Sequence, residues 1–460
     1  MAKFLITAVD ARTEKVVPLL YDNMDSSLTD LEGRSVVRTV DASLRAPTVD
    51  APVTSREAPL GKTSPRILKI SLGLSCNYAC EYCSQRFVAR NVETNPEDIS
   101  GFLASLDTWV LNSPDAIEFW GGEPLVYIKT LKPLANALRE KFPAARFSVI
   151  TNGSLLSPDI NQWLDDLGFT VSVSHDGPGQ HVRGPDPLND PQSRDAILEL
   201  YRTLAPKSRI SFNAMLHRDN QSRAAIQAFF VNLTGDPDVF IGEGGFVDAY
   251  DAGGIAQSLR PEEFHSFRRQ AFHDIRHGKA GRISSVRDRV MSFVNSLRFE
   301  RPASSLGQKC GMDRLDSIAV DLKGNVLTCQ NVSAAALAPN GESHRIGHTS
   351  YLGEVVLKTA THWSHRAECP GCPMLQICKG ACMFLQGPLW EASCDNAYSD
   401  ALPIFAAGIE FLTGLVPVHI DGELREDRKD TFGFSGKVAP IQGANTQPAR
   451  KPFPIAVVSV

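Results

Sequence analysis

The spacing of three cysteines constrains this chain more than any other feature. Cys76, Cys80 and Cys83 stand as C-x3-C-x2-C in the stretch Gly73-Leu74-Ser75-Cys76-Asn77-Tyr78-Ala79-Cys80-Glu81-Tyr82-Cys83. Three thiolates on one short loop can converge on a single metal centre. An iron–sulfur cube has four irons, so three cysteines leave one iron without a protein ligand. An open position on a metal is where a substrate or cofactor binds. With ten cysteines in 460 residues, both spacings arise by chance in about one such chain in two hundred. Buried free cysteines pack as small hydrophobes, which does not suit three of them on a polar loop.

Composition narrows the setting. A hydrophobic share of 43% with 22% charged residues is that of a folded chain. A net charge of −5 advertises neither nucleic acid nor a membrane surface as partner. The longest apolar stretch, Leu402–Val418, carries Glu410 and two prolines and falls short of the ~18 residues of a membrane span. The apolar start meets Asp10, Arg12 and Glu14 too soon for a signal peptide. The chain reads as cytoplasmic, where ten cysteines are not expected to pair as disulfides.

From Arg66 onward strands and helices alternate. Ile67–Leu74, Ala116–Trp120, Arg146–Ile150, Thr170–Ser174 and Arg209–Leu216 read as strands, with a weaker sixth at Val239–Ile241 and Phe246–Val247. Helical spacing recurs at Asp98–Leu111, Ile128–Phe142, Asp159–Leu167, Asp195–Leu204 and Ser222–Leu233. This rhythm predicts α/β architecture with parallel βαβ units, whose active sites lie at the C-terminal ends of the strands. Glu262–Phe299 predicts one or two helices with a core-facing aromatic stripe. Lys3–Val9 and Val16–Tyr21 predict a hairpin. Ala46–Pro65 reads as a linker, and the polar tail from about 421 as mobile.

The cysteine loop, with aromatic Tyr82 just before its third cysteine, resembles the signature of the radical S-adenosylmethionine (radical SAM) enzymes. The resemblance implies a 4Fe-4S cluster on Cys76, Cys80 and Cys83, with S-adenosylmethionine chelating the fourth iron. One electron then cleaves the sulfonium, and a 5′-deoxyadenosyl radical abstracts a hydrogen atom. It also implies a partial (β/α)6 TIM-like barrel. Trp120-Gly121-Gly122-Glu123-Pro124 resembles the family's GGEP element. There Gly121 and Gly122 would admit the cofactor to the backbone, and Glu123 would accept from its ammonium. Thr151-Asn152-Gly153 and Ser174-His175-Asp176-Gly177-Pro178 resemble two further strand-end elements, which places Asn152, Ser174 and Asp176 near the cofactor and Tyr82 near its adenine. His175 and Asn213 read equally well as structural residues.

The other seven cysteines are Cys310, Cys329, Cys369, Cys372, Cys378, Cys382 and Cys394. Seven ligands are enough for two metal sites, at four plus three, and zinc competes with iron–sulfur on spacing alone. The pattern resembles the SPASM extension of a radical SAM subgroup, which holds two auxiliary 4Fe-4S clusters. That resemblance assigns Cys310, Cys329 and Cys382 to the first and Cys369, Cys372, Cys378 and Cys394 to the second. Pro302–Lys309 lacks the extra cysteine of fully ligated members, so the first auxiliary cluster is expected to carry an open iron or a ligand such as Asp313 or Asp316. Gln330 stands where sulfatase-maturating relatives carry an aspartate base, and an amide cannot take a proton in that way.

The expected organisation is a β-rich extension and linker at residues 1–65, a radical SAM core at 66–300, a SPASM domain at 301–400, and a C-terminal helix with a flexible tail at 401–460. The resemblance implies an oxidoreductase that crosslinks or oxidises a ribosomally made peptide or a protein side chain. It takes electrons from a flavodoxin- or ferredoxin-type donor. A sulfatase or small-molecule substrate, or a zinc-binding scaffold, are the alternatives.

Overall fold

The computed structural model describes residues 3–10, 12–40, 61–89, 94–278, 283–338, 341–356 and 362–432. Most of the expected linker and all of the tail beyond Phe432 lie outside the described residues.

The first strands pair as an antiparallel hairpin, β1 (Lys3–Asp10) and β2 (Val16–Asp22), followed by β3 (Ser27–Thr29). The βα series then runs β4 (Ile67–Ser71), α1 (Asp98–Trp109), β5 (Ala116–Trp120), α2 (Ile128–Lys141), β6 (Arg146–Thr151), α3 (Pro158–Asp166), β7 (Phe169–Ser174), α4 (Pro191–Leu204), β8 (Ile210–Leu216), α5 (Arg223–Thr234) and β9 (Ile241–Phe246). Strands β4 to β9 are parallel and lie in sequence order. The sixth strand is displaced from its expected bounds because Gly242, Gly244 and Gly245 interrupt the alternation of side chains.

Alternation gives this sheet two unlike faces. Leu68, Ile70, Ile117, Phe119, Phe147, Val149, Phe169, Val171 and Phe212 pack on the helices as one core. Phe119, Phe147 and Phe169 form a triangle with every pair of ring centroids 5.5 Å apart. The intervening positions carry Lys69, Glu118, Ser148, Ser172, Ser211 and Asn213 instead. Lys69 and Glu118 pair at 3.6 Å, and Ser172 bonds Ser211 at 2.7 Å. The second face is therefore polar and lies outside the apolar core.

Strand pairing crosses the boundary expected at residue 300. Strands β10 (Ser317–Asp321), β11 (Asn325–Leu327) and β12 (Arg345–His348) extend the same sheet on the β4 side, with β10 parallel to β4. The cysteine-rich segment is thus continuous with the βα series. Buried Lys62 donates to the carbonyls of Met312, Arg314 and Ser317 at 2.7–2.9 Å, which holds the segment leading into β10.

Helices α6 (Ala252–Ala256), α7 (Phe264–Arg276) and α8 (Ser284–Phe299) precede it, and α9 (Leu375–Cys378) lies within it. Helix α10 (Gly387–Thr413) crosses the boundary expected at residue 400. It reads as apolar all round from Ala401 because α7, α8 and β13 (Leu415–Asp421) cover it on several sides. Strand β13 then pairs with β1, so both ends of the described chain share a four-stranded sheet in the order β13-β1-β2-β3.

The stretch after 421, expected to be mobile, is placed as far as Phe432. It holds α11 (Glu426–Lys429), and Phe432 stacks on Phe272 at 4.9 Å. Its polarity serves ion pairs: Arg425 and Arg428 both reach Asp395, at 2.6 and 2.7 Å.

Candidate functional site

The cysteine loop leaves the C-terminal end of β4 and is fastened to the end of β5 by backbone. Leu72 N–H donates to Trp120 O at 2.7 Å, Gly122 N–H to Gly73 O at 3.0 Å, and Glu123 N–H to Ser75 O at 3.0 Å. Ser75 N–H donates to the Tyr127 hydroxyl at 2.6 Å. A Cβ on Gly122 would lie 2.4 Å from Ser75 O and 2.6 Å from Leu74 O. The two glycines therefore admit the cysteine loop, with the Gly73 carbonyl 3.1 Å from where a Cβ on Gly121 would lie. Gly122→Ala is expected to push the loop off β5, costing about 1–3 kcal/mol. The urea midpoint of the variant against the parent checks this.

Cys76 is exposed, while Cys80 and Cys83 are half-buried. Backbone N–H groups point at two of the sulfurs: Tyr78 at Cys76 Sγ (3.3 Å) and Gln85 at Cys83 Sγ (3.4 Å). Burial pushes the Cys80 thiol up to about 11, and neighbouring Cys83 and Cys76 push the same way.

Glu123 is buried. Oε1 accepts from Leu125 N–H (3.0 Å) and the Thr151 hydroxyl (2.8 Å), and Oε2 from Asn152 N–H (2.7 Å). Burial raises its carboxyl above the usual range, and these donors offset only part of that. Three protein donors thus take most of the roughly four acceptor sites of a carboxylate, leaving room for about one more. Asn152 Nδ2 donates to Asn77 Oδ1 at 2.8 Å, which ties the end of β6 to the cysteine loop.

Beyond β7 the chain builds a second polar knot. Asp176 is wholly buried. Its Oδ2 accepts from the Tyr82 hydroxyl and its Oδ1 from Met215 N–H at 2.9 Å. Arg183 donates to the Tyr82 hydroxyl at 2.9 Å and to Asp176 Oδ1 at 3.3 Å. His217, also buried, stacks on Tyr82 with centroids 6.0 Å apart. Ser174 lies beside Asn213 in the β7–β8 register. His175 has a structural place: its ring bonds Asp186 and Gly177 N–H and stacks on Phe229.

The structure thus brings Tyr82 and Asp176 together, and Glu123 with Asn152. Arg183 and His217 were missed, since neither lies in a recognisable motif. Arg183 stands within electrostatic reach of Cys76, Cys80, Tyr82 and Glu123. Four buried nitrogens here have no hydrogen-bond partner: Gln180 Nε2, Arg183 Nε and both ring nitrogens of His217. Unmet buried donors are costly, and a polar ligand beside the cysteine loop would satisfy them.

The remaining cysteines fall into two groups. The thiols of Cys310, Cys329 and Cys382 influence one another, and burial pushes Cys329 up to about 12. Cys369, Cys372, Cys378 and Cys394 line a single cavity with Trp390, Tyr398 and Arg428. Among the described residues no three Cys, His, Asp or Glu side chains gather closely enough to hold one ion. In a cube each thiolate sits on a different iron, so such tight convergence is not required. Of the two aspartates expected near the first group, Asp316 is paired with Arg314 at 2.9 Å. Buried Asp313 accepts from His362 and from Gln308 N–H but keeps Oδ1 unpartnered.

Residues 70–225 match the model of the Radical SAM superfamily. Over 176 residues the chain is 27% identical to the radical SAM cyclopropyl synthase TigE of Paramaledivibacter caminithermalis, covering 34% of this chain and 37% of that protein. Over 165 residues it is 28% identical to an S-adenosylmethionine-dependent nucleotide dehydratase of Selenomonas ruminantium, covering 32% and 56%. The match thus spans less than two thirds of either relative. Among solved structures, native anSMEcpe with bound AdoMet and Cp18Cys peptide superposes with a TM-score of 0.52 at 17% identity, covering 74% of this chain and 99% of that one. That likeness is one of fold.

Proposed function

We propose, since residues 70–225 form a radical SAM domain, that this chain is an enzyme that modifies a peptide or protein side chain by hydrogen abstraction. When bound, a 4Fe-4S cluster and S-adenosylmethionine supply a 5′-deoxyadenosyl radical. The residues present fit these groups. Cys76, Cys80 and Cys83 would hold the cluster on a loop whose backbone is already fixed. Glu123 keeps an acceptor site for an ammonium, and Gln180, Arg183 and His217 offer the unmet nitrogens beside Tyr82. Glu123, Asn152 and Asn77 orient the loop, while Asp176 fixes the Tyr82 ring.

The observation that carries this reading is the partition of ten cysteines. Three stand at the strand ends beside orphaned polar atoms, three lie within electrostatic reach of one another, and four line one cavity. It supports the SPASM arrangement, with two auxiliary 4Fe-4S clusters beside a partial barrel formed by β4 to β9. A peptide is the first substrate to try because anSMEcpe, of like fold, is known with one bound. The polar sheet face and the nucleotide-acting relative favour a small polar substrate as the second reading. Catalysis further implies a flavodoxin- or ferredoxin-type donor and a cytoplasmic setting.

Iron and zinc per chain after anaerobic reconstitution test the reading. About twelve irons are expected. About four irons with zinc would leave the radical SAM centre and make the second cysteine group structural. No iron would remove the radical mechanism.

A further inference from the structure

The cavity of four cysteines is closed by a residue remote from any cysteine motif. Arg428, on α11, lines it with Cys369, Cys372, Cys378 and Cys394. Its Nη2 donates to Cys394 Sγ at 3.3 Å and to Asp395 Oδ1 at 2.7 Å. Its guanidinium lies 4.7 Å from the centroid of the Tyr398 ring, and Tyr398 OH donates to the Arg428 carbonyl at 2.8 Å. The side chain is only 11% exposed, and Nε is buried without a partner. Arg268 holds the same turn through the Asp427 carbonyl at 2.6 Å. A positive charge is thus clamped on one side of the cavity, with one N–H on a cysteine sulfur and another unspent.

We infer that Arg428 sets the reduction potential of a cluster held by these four cysteines. The inference rests on the reading that they hold an iron–sulfur cluster. Net charge and hydrogen bonds to the sulfurs are what set such potentials. Each electron added to a cluster increases its negative charge. A guanidinium is always protonated, so it favours the reduced form, and its N–H bond to Cys394 withdraws charge from the thiolate. Asp395, next in sequence to Cys394, acts with the opposite sign. Arg428 is a positioning residue in this sense, since it works through the cluster and not on substrate.

The test is a redox titration of the reconstituted full chain, followed by electron paramagnetic resonance. The relevant signal is the one lost in Cys372→Ser. Arg428→Met should lower its potential by at least tenfold in the one-electron equilibrium, ~59 mV. Arg428→Lys, which keeps the charge, should lower it less, and Asp395→Asn should raise it. If Arg428→Met loses iron, the rise in Asp395→Asn carries the test. Full iron with an unmoved potential in Arg428→Met, or a fall in Asp395→Asn, would overturn the inference alone. A parent protein without a cluster on these cysteines would overturn the underlying reading as well.

Discussion

Replacing Cys76, Cys80 or Cys83 with Ala is expected to reduce S-adenosylmethionine cleavage to background while leaving a folded protein. The loop is fixed by backbone bonds from Gly122 to Gly73 and Glu123 to Ser75, and by the Tyr127 hydroxyl on Ser75. None of these uses a sulfur. Each variant should therefore keep its secondary structure and lose about four of about twelve irons. Chromatographic assay of 5′-deoxyadenosine, read beside iron content and circular dichroism, separates this from misfolding. Retained cleavage in any of the three would refute the assignment of the loop. Metal loading must displace the protons of the thiols, so reconstitution is expected to improve with rising pH over the range in which the protein stays folded.

The largest effect on stability is expected from Asp400→Asn. Asp400 lies on α10, where its carboxylate bonds Arg223 of α5 at 2.5 Å and Arg289 of α8 at 2.7 Å. Asp400 and Arg223 are almost fully buried. Removing one partner of a buried pair leaves an uncompensated charge, at a cost of about 3–5 kcal/mol. Here one carboxylate serves two arginines, so the loss should fall at the high end. Burial alone would raise the Asp400 carboxyl, but Arg223 and Arg289 outweigh it and hold it well below the usual range. Because the folded value is depressed, this stabilisation is full above the unfolded value of about 4 and fades as pH falls further. Urea unfolding of parent and variant at neutral pH and near pH 3 checks both claims. The gap between them should narrow in acid. A gap that stays below 1 kcal/mol at neutral pH would mean that the three helices hold together without the pair.

Much of the fold was legible because its signals are local. Alternation marks β5 to β8 within a residue or two, and loop spacing marks the first three cysteines. The glycines of Gly121-Gly122-Glu123 were legible as a close backbone approach, but not for what approaches, since the Ser75 carbonyl is some fifty positions away. Lys62 serves carbonyls 250 residues on, and Arg183, His217 and Arg428 act across loops with no motif of their own. Such pairings leave no periodicity to read. Strands β10 to β12 are short, and their hydrophobic pattern is masked by the cysteines and turns around them. Helix α10 was obscured for the opposite reason: buried on most sides, it shows no polar stripe to mark its length.

The pairing of β1 with β13 also has a consequence for synthesis. The inner residues Phe4, Ile6 and Tyr21 of the hairpin pack on Phe293, Phe405 and Ile420. The hairpin therefore leaves the ribosome long before its partners. At about 5–20 residues per second, β1 waits tens of seconds for Leu415–Asp421 to emerge. Through that interval it presents an open apolar edge, the kind that recruits strands from other nascent chains. Slow growth at low temperature or a co-expressed chaperone should therefore raise the soluble yield even when iron supply is unchanged.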